Sequence, residues 1–249
     1  MKLRDISVIV TARDEEDNLG RCLESARGFG EIIVVDSFSG DATVEIARRT
    51  RATVFQRAYT SPPDQKNWAV ARAKNDWVLV LDADEWLDAA LRAEIEALEP
   101  GECDGYWIHR RSEYLGRPIR GCGWQRDRVL RLYDRRRGHY PAALVHEEVE
   151  LDGREGHLRA RLGHRPYRDV AHHLQKIDAY TAKGARQALD RGLALPGLYL
   201  VFHPPFRFIR MYLLQLGVRD GYPGLVLCLL AAASVFMKYA RAWEMKRAS

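Results

Sequence analysis

Two carboxylates separated by one residue, Asp82 and Asp84 in Leu81-Asp82-Ala83-Asp84-Glu85, close the apolar run Trp77-Val78-Leu79-Val80-Leu81. On an extended chain end, such a pair presents one carboxylate to a ribose and the other to a metal. A hard cation, Mg2+ or Mn2+, takes oxygen ligands and bridges a diphosphate. The competing reading is a pair of solvated carboxylates capping a helix over Leu87 to Leu98. Asp36 ends a second apolar run, Glu31-Ile32-Ile33-Val34-Val35. A carboxylate there accepts a hydrogen bond from a base or ribose, or else initiates the turn Ser37-Phe38-Ser39-Gly40.

Familiar phosphate-binding loops are missing. The GxG at Gly28-Phe29-Gly30 precedes a strand and has Ile33 at the third glycine position, and no GxxxxGK[ST] occurs. A nucleotide would therefore be held by carboxylates and a metal, with Lys66 or Arg13 near its phosphates. His146 reads as a second metal ligand or an acceptor-orienting group, or as a strand histidine satisfied locally. Nothing in the sequence couples His164, His172 and His173 to the carboxylates, so they are expected at or near a helix start and outside the chemistry.

The elements that must position these residues alternate along the first hundred positions. Ile6 to Val10, Glu31 to Val35, Ala52 to Phe55 and Trp77 to Leu81 read as buried strands. Helices are expected through Leu19, Cys22, Leu23 and Ala26, up to Ala47 after the Asp36–Asp41 loop, and over Asp64 to Lys74. Nearly continuous apolar strands with short helices between them predict a parallel sheet covered on both faces. Ligands bind such sheets at the carboxyl ends of the strands, and the polar residues Thr11 to Glu15, Asp36 and Asp82 to Glu85 gather there.

After Pro100 the pattern becomes alternating: Gly105 to Arg111, Arg128 to Tyr133 and Val145 to Leu151 read as strands, with Asp152-Gly153 as a turn. A helix is expected from Val170 to Arg191. The domain reading is a catalytic region over 1–165, with a nucleotide half over about 1–100 and an acceptor half over about 101–165, followed by a helical region over 166–249.

With 47% hydrophobic and 29% charged residues the chain has the means to bury a core. Its four cysteines form no CxxC pair, which argues against a disulfide framework or zinc site. The first residues lack the apolar core and cleavage site of a signal peptide, so the protein is expected in the cytoplasm. A net charge of +5 favours anionic partners.

In the tail, Gly224 to Met237 is apolar for about fourteen residues, short of the roughly twenty that span a bilayer. Pro204-Pro205 is expected to interrupt the preceding segment. Phe206, Phe208, Ile209, Tyr212 and Leu213 interleave with Arg207 and Arg210, as in an interfacial amphipathic helix at the inner face of the cell membrane. The alternative is a helical hairpin packed on the rest of the protein.

Four ordered motifs, Ile6-Ser7-Val8-Ile9-Val10-Thr11-Ala12-Arg13-Asp14-Glu15, Val34-Val35-Asp36-Ser37, Gln65-Lys66-Asn67-Trp68-Ala69 and Leu81-Asp82-Ala83-Asp84-Glu85, resemble glycosyltransferase family 2. The likeness is nearest to the bacterial lipopolysaccharide-core β-1,4-glucosyltransferase group and extends through Leu144-Val145-His146-Glu147 and Lys238-Tyr239. Arg13 departs from the pattern, since the wider family often has Asn before Glu15. The resemblance implies an α/β, GT-A-like Rossmann-type fold with a mostly parallel sheet and a C-terminal helical, membrane-associating appendage. It further implies a nucleotide-sugar donor, with UDP favoured, inversion at the anomeric carbon, and a lipid-linked or core-oligosaccharide acceptor. By position, Thr11 and Glu15 would lie near the nucleotide, Asp36 near the base, Asp82 near the ribose and Asp84 on Mg2+ or Mn2+. The base that takes the acceptor proton would be Glu85 or Glu147.

Two other readings compete. A sugar nucleotidyltransferase would carry a glycine-rich basic loop after the first strand, whereas Thr11 to Asn18 is acidic and lacks glycine. A non-catalytic protein holding RNA or lipid would expose aromatics among its arginines. Trp107, Trp124 and Tyr133 fall in strand-like patterns instead, and no nucleic-acid partner is expected.

Overall fold

The computed structural model describes residues 1–99, 101–141, 148–193 and 195–248. The expected strand–helix alternation forms: β1 (Ile6–Ala12), α1 (Glu16–Ser25), β2 (Glu31–Asp36), α2 (Thr43–Arg49), β3 (Thr53–Gln56), α3 (Pro62–Val70) and β4 (Trp77–Asp82). There follow β5 (Glu85–Trp86), α4 (Ala89–Glu96), β6 (Gly105–Tyr114), β7 (Arg117–Pro118), β8 (Arg128–Asp134), β9 (Gly138–His139), β10 (Glu150–Leu151) and β11 (Glu155–His164). The tail is helical, with α5 (Val170–Asp190), α6 (Pro196–Ile209), a π-helical turn at Arg210–Leu214 and α7 (Gly221–Ala248).

Residues 1–111 and 127–165 form one compact unit, and 112–126 with 166–249 form a second. In the first, the sheet order is β3-β2-β1-β4-β8-β6-β11-β5. The first four strands are parallel, and β8 and β6 run antiparallel. The three central parallel strands β1, β2 and β4 carry the buried apolar runs. β6 pairs antiparallel with β8, and β11 antiparallel with β5. Val8, Val10, Leu79 and Leu81 pack on α1 and α4 through Leu19, Leu23 and Leu91, while Ile9, Val35, Val78 and Val80 face Ala69 and Val70 of α3. Both sides of the sheet are therefore covered, and the site is pushed to the strand ends.

No strand is among those expected over 155–164, yet β11 is the element that completes the site. It pairs with β5, setting Gly163 against Trp86 and His164 against Glu85. A side chain at 163 would put its Cβ 2.1 Å from the Trp86 ring, so the close approach demands glycine.

The second unit buries Tyr114, Ile119, Cys122, Met211, Leu227 and Cys228. α6 and α5 both pack on α7. Two tail expectations change here. Pro204-Pro205 does not interrupt α6, which continues to Ile209 before passing into the π-helical turn. The apolar segment is also longer than its sequence core: 217–247 is a helical run long and apolar enough to cross a membrane by length and composition, containing an 18-residue stretch of mean hydropathy 1.7 of which 17% is buried. On α6 and its continuation, Leu195, Leu198, Phe202, Phe206, Ile209 and Leu213 are all exposed. Their three- and four-residue spacing makes one apolar stripe.

Candidate functional site

Strand register sets the candidate site. Thr11 lies opposite Asp82 on one side and Val35 on the other, and Ala12 lies opposite Asp36. The ends of β1, β2 and β4 therefore stop level, and the loops that follow meet at one edge. The first two loops are zipped together. The Asp14 N–H donates to Ser39 Oγ (2.9 Å), the Gly40 N–H to Asp14 Oδ1 (2.8 Å) and the Glu15 N–H to Thr43 Oγ1 (2.8 Å). Asp14 and Phe38 hold left-handed backbone, with φ of 54° and 57°. Glu15 also accepts from Asn18 Nδ2 at 2.8 Å.

Asp36 is committed to this loop. It is fully buried; Ser39 Oγ donates to Oδ1, the Ser39 N–H to Oδ2 (3.1 Å) and Gln56 Nε2 to Oδ2 (3.2 Å). A carboxylate so committed shapes the turn that a base would rest on.

Below the edge runs a chain of alternating charges. Lys66 Nζ lies 2.9 Å from Asp82 Oδ1, and Arg131 Nη2 bonds Asp82 Oδ2. The same Arg131 nitrogen reaches Glu85 Oε1 at 2.8 Å, Arg110 Nη1 reaches that oxygen at 3.2 Å, and Arg110 Nη2 reaches Asp127 Oδ1 at 3.1 Å. Lys66 and Glu85 are 2% and 0% exposed, so desolvation here is severe and only alternation of sign makes it tolerable. Burial raises the Asp82 pKa, but Arg131 and Lys66 outweigh it and hold the carboxyl far below the usual range. Asp82 is ionised and rigid.

Two residues of the sequence reading belong to this chain. Lys66 is enclosed beside Asp82, clamped through Asn67, whose amide exchanges hydrogen bonds with the Tyr140 backbone at 2.7 and 3.0 Å. The Glu85 carboxylate is enclosed by Arg131, Arg110 and the Asp82 N–H (3.0 Å). It locks the position of Asp82. His146 and Glu147 lie outside the described residues.

Asp84 has a different neighbour, and one the sequence did not suggest. His164, at the end of β11, places Nε2 3.8 Å from Asp84 Oδ2, with both side chains 13% exposed. The Arg165 N–H fixes the Asp84 carbonyl at 2.9 Å. His164 was expected to stand apart; the β5–β11 pairing brings it in. Among the described residues no three metal-ligating side chains converge. A cation there would take one or two ligands from the described residues and others from phosphate oxygens.

An open sheet with carboxylates at the carboxyl ends of parallel strands is an α/β architecture that binds its ligands at that edge. The chain belongs to glycosyl transferase family 2, whose model matches residues 7–147. It is 28% identical to the lipopolysaccharide core biosynthesis glycosyltransferase LpsC of Rhizobium meliloti, over 96% of this chain and 92% of that protein. An uncharacterized glycosyltransferase of Rickettsia typhi is 24% identical, covering 98% and 88%. Among solved structures, S. aureus TarS 1-349 in complex with UDP aligns with a TM-score of 0.51 and 15% identity, covering 98% of this chain and 92% of that one. The GT-A-like architecture implied by the motifs is the one found.

Proposed function

We propose that this protein is an inverting glycosyltransferase that moves a hexose from a UDP-sugar to a lipopolysaccharide-core or other cell-envelope glycan. The observation that carries this reading is the Asp84–His164 pair, held 3.8 Å apart beside an Asp82 already neutralised by Lys66 and Arg131. Asp82 is the rigid acceptor for a ribose hydroxyl. Asp84 and His164 are the residues that would hold Mn2+ or Mg2+, and the cation, when bound, neutralises the diphosphate as it departs. Imidazole beside carboxylate suits Mn2+ better than Mg2+, which prefers oxygen alone. UDP is favoured as the nucleotide, being what the TarS structure of the same fold holds. The name of the R. meliloti relative supports a core-oligosaccharide acceptor.

Inversion by a single displacement needs a base opposite the departing diphosphate. With Glu85 sealed, Glu147 is the carboxylate assigned to take the acceptor hydroxyl proton. Thr11 and Glu15 line the nucleotide edge. Catalysis is assigned to 1–165, with donor and acceptor halves meeting near residue 100, and the helical region 166–249 to membrane contact. There the exposed stripe of α6, flanked by Arg207 and Arg210, lies in the lipid interface on the cytoplasmic side.

A screen of hydrolysis and transfer across UDP-, GDP- and dTDP-sugars tests the donor. Metal-dependent turnover with a UDP-hexose is expected, and turnover confined to GDP or dTDP donors would overturn the choice of nucleotide.

A further inference from the structure

The C-terminal unit contains a cavity of about 510 Å3. Its lining is part apolar, with Met211, Leu227, Ala231 and Val235, and part cationic, with Arg207, Arg210 and Lys238. Among the described residues no aspartate or glutamate lines it. Among the described residues, Arg207 and Arg210 have no carboxylate within ion-pair range, and Lys238 Nζ rests over the Tyr239 ring at 5.2 Å. Three cations gathered at one cavity repel each other, and an anion between them removes that penalty. Deeper in, His173 is 4% exposed, bonded to Tyr114 Oη through Nδ1 (3.0 Å) and stacked on Tyr167 with ring centroids 3.7 Å apart.

Guanidinium forks match phosphate oxygens in geometry as well as charge. A free phosphate would leave the apolar lining facing water, and a neutral lipid would leave the cations without a counterion. We propose that this cavity binds one phosphate-bearing lipid, its phosphate among Arg207, Arg210 and Lys238 and its hydrocarbon against Leu227, Ala231 and Val235. Phe206 belongs both to the cavity lining and to the exposed stripe of α6, so a lipid enters from the surface that the membrane would cover. The site deepens the membrane-facing role proposed above and rests on that reading.

The test is calorimetry of the full chain with dihexanoyl phosphatidic acid, kept below its micelle concentration, against dihexanoyl phosphatidylcholine and inorganic phosphate. Saturable one-to-one binding of the phosphatidic acid is expected, at least tenfold tighter than either control. Arg207→Gln/Arg210→Gln, both at exposed positions, should weaken it tenfold or more. Ala231→Phe, which adds bulk to the apolar lining, should weaken it while leaving the response to inorganic phosphate unchanged. Equal affinity for phosphatidic acid in the arginine double variant, or for inorganic phosphate in the wild type, would overturn the site. Flotation of wild type with vesicles separates the two readings: binding of the short-chain lipid without flotation keeps the cavity and removes the membrane contact.

Discussion

His164 Nε2 stands 3.8 Å from Asp84 Oδ2, although one residue ends β11 and the other follows β4. The two-residue pairing of β5 with β11 makes this contact, and Gly163 permits it by admitting the Trp86 indole. His164→Ala should therefore weaken Mn2+-dependent UDP binding by roughly tenfold or more, in the range seen for groups that tune a metal site. Titration of UDP with and without Mn2+ checks this, with a melting curve to confirm the fold. Unchanged metal dependence would remove His164 from the site.

Glu85→Gln tests whether this carboxylate is a structural lock or a base. Removing one negative charge leaves Arg131 and Arg110 undercompensated in a buried chain, which costs about 3–5 kcal/mol. Denaturant unfolding should show that loss, and the pH profile of residual transfer should keep its acidic limb. A variant of wild-type stability lacking that limb would restore Glu85 as the base.

His173 makes stability pH-dependent. Its burial, reinforced by His172 and Lys176, lowers its pKa from 6.5 to about 4, so the folded protein holds it neutral. Between those values the unfolded chain binds the proton and the folded chain does not, and stability falls as the pH drops through that window. From pH 7 to pH 5 the loss is roughly 2 kcal/mol. Urea unfolding of wild type and His173→Gln at both pH values measures it, and an equal pH dependence in the two would contradict the assignment.

The α6 stripe predicts lipid contact. Wild type should float with anionic vesicles, and Phe202→Glu/Leu213→Glu, which puts charge at two exposed stripe positions, should remain in the dense fraction. Flotation of both proteins alike would assign the stripe to some other surface.

The sequence made the strand ends legible because β1, β2 and β4 are continuous apolar runs closed by polar loops, and register then places Thr11 beside Asp82 and Ala12 beside Asp36. Partners were not legible. Lys66, Arg131 and Arg110 reach Asp82 and Glu85 from α3, β8 and β6, and no local pattern announces a contact between elements so distant in the chain. Type and position suggest a phosphate ligand in Lys66 and a base in Glu85; the structure encloses both in the charge chain. His164 had a usable signal: Leu158 and Leu162, both buried, alternate with exposed His157, Arg159 and Arg161, the period of a half-buried strand. Reading that alternation would have put His164 at a strand end. In the tail, counting only uninterrupted apolar residues understated α7, whose charged turns continue the helix to Ala248.

The central claim is that Asp84 holds a cation on which nucleotide binding depends, while Asp82 is committed to Lys66 and Arg131. Calorimetry of UDP with and without Mn2+, on wild type and Asp84→Ala, tests it most directly. Wild type should bind UDP much more tightly with Mn2+, and Asp84→Ala should bind weakly and equally in both conditions. A variant that keeps the full Mn2+ enhancement would contradict the account.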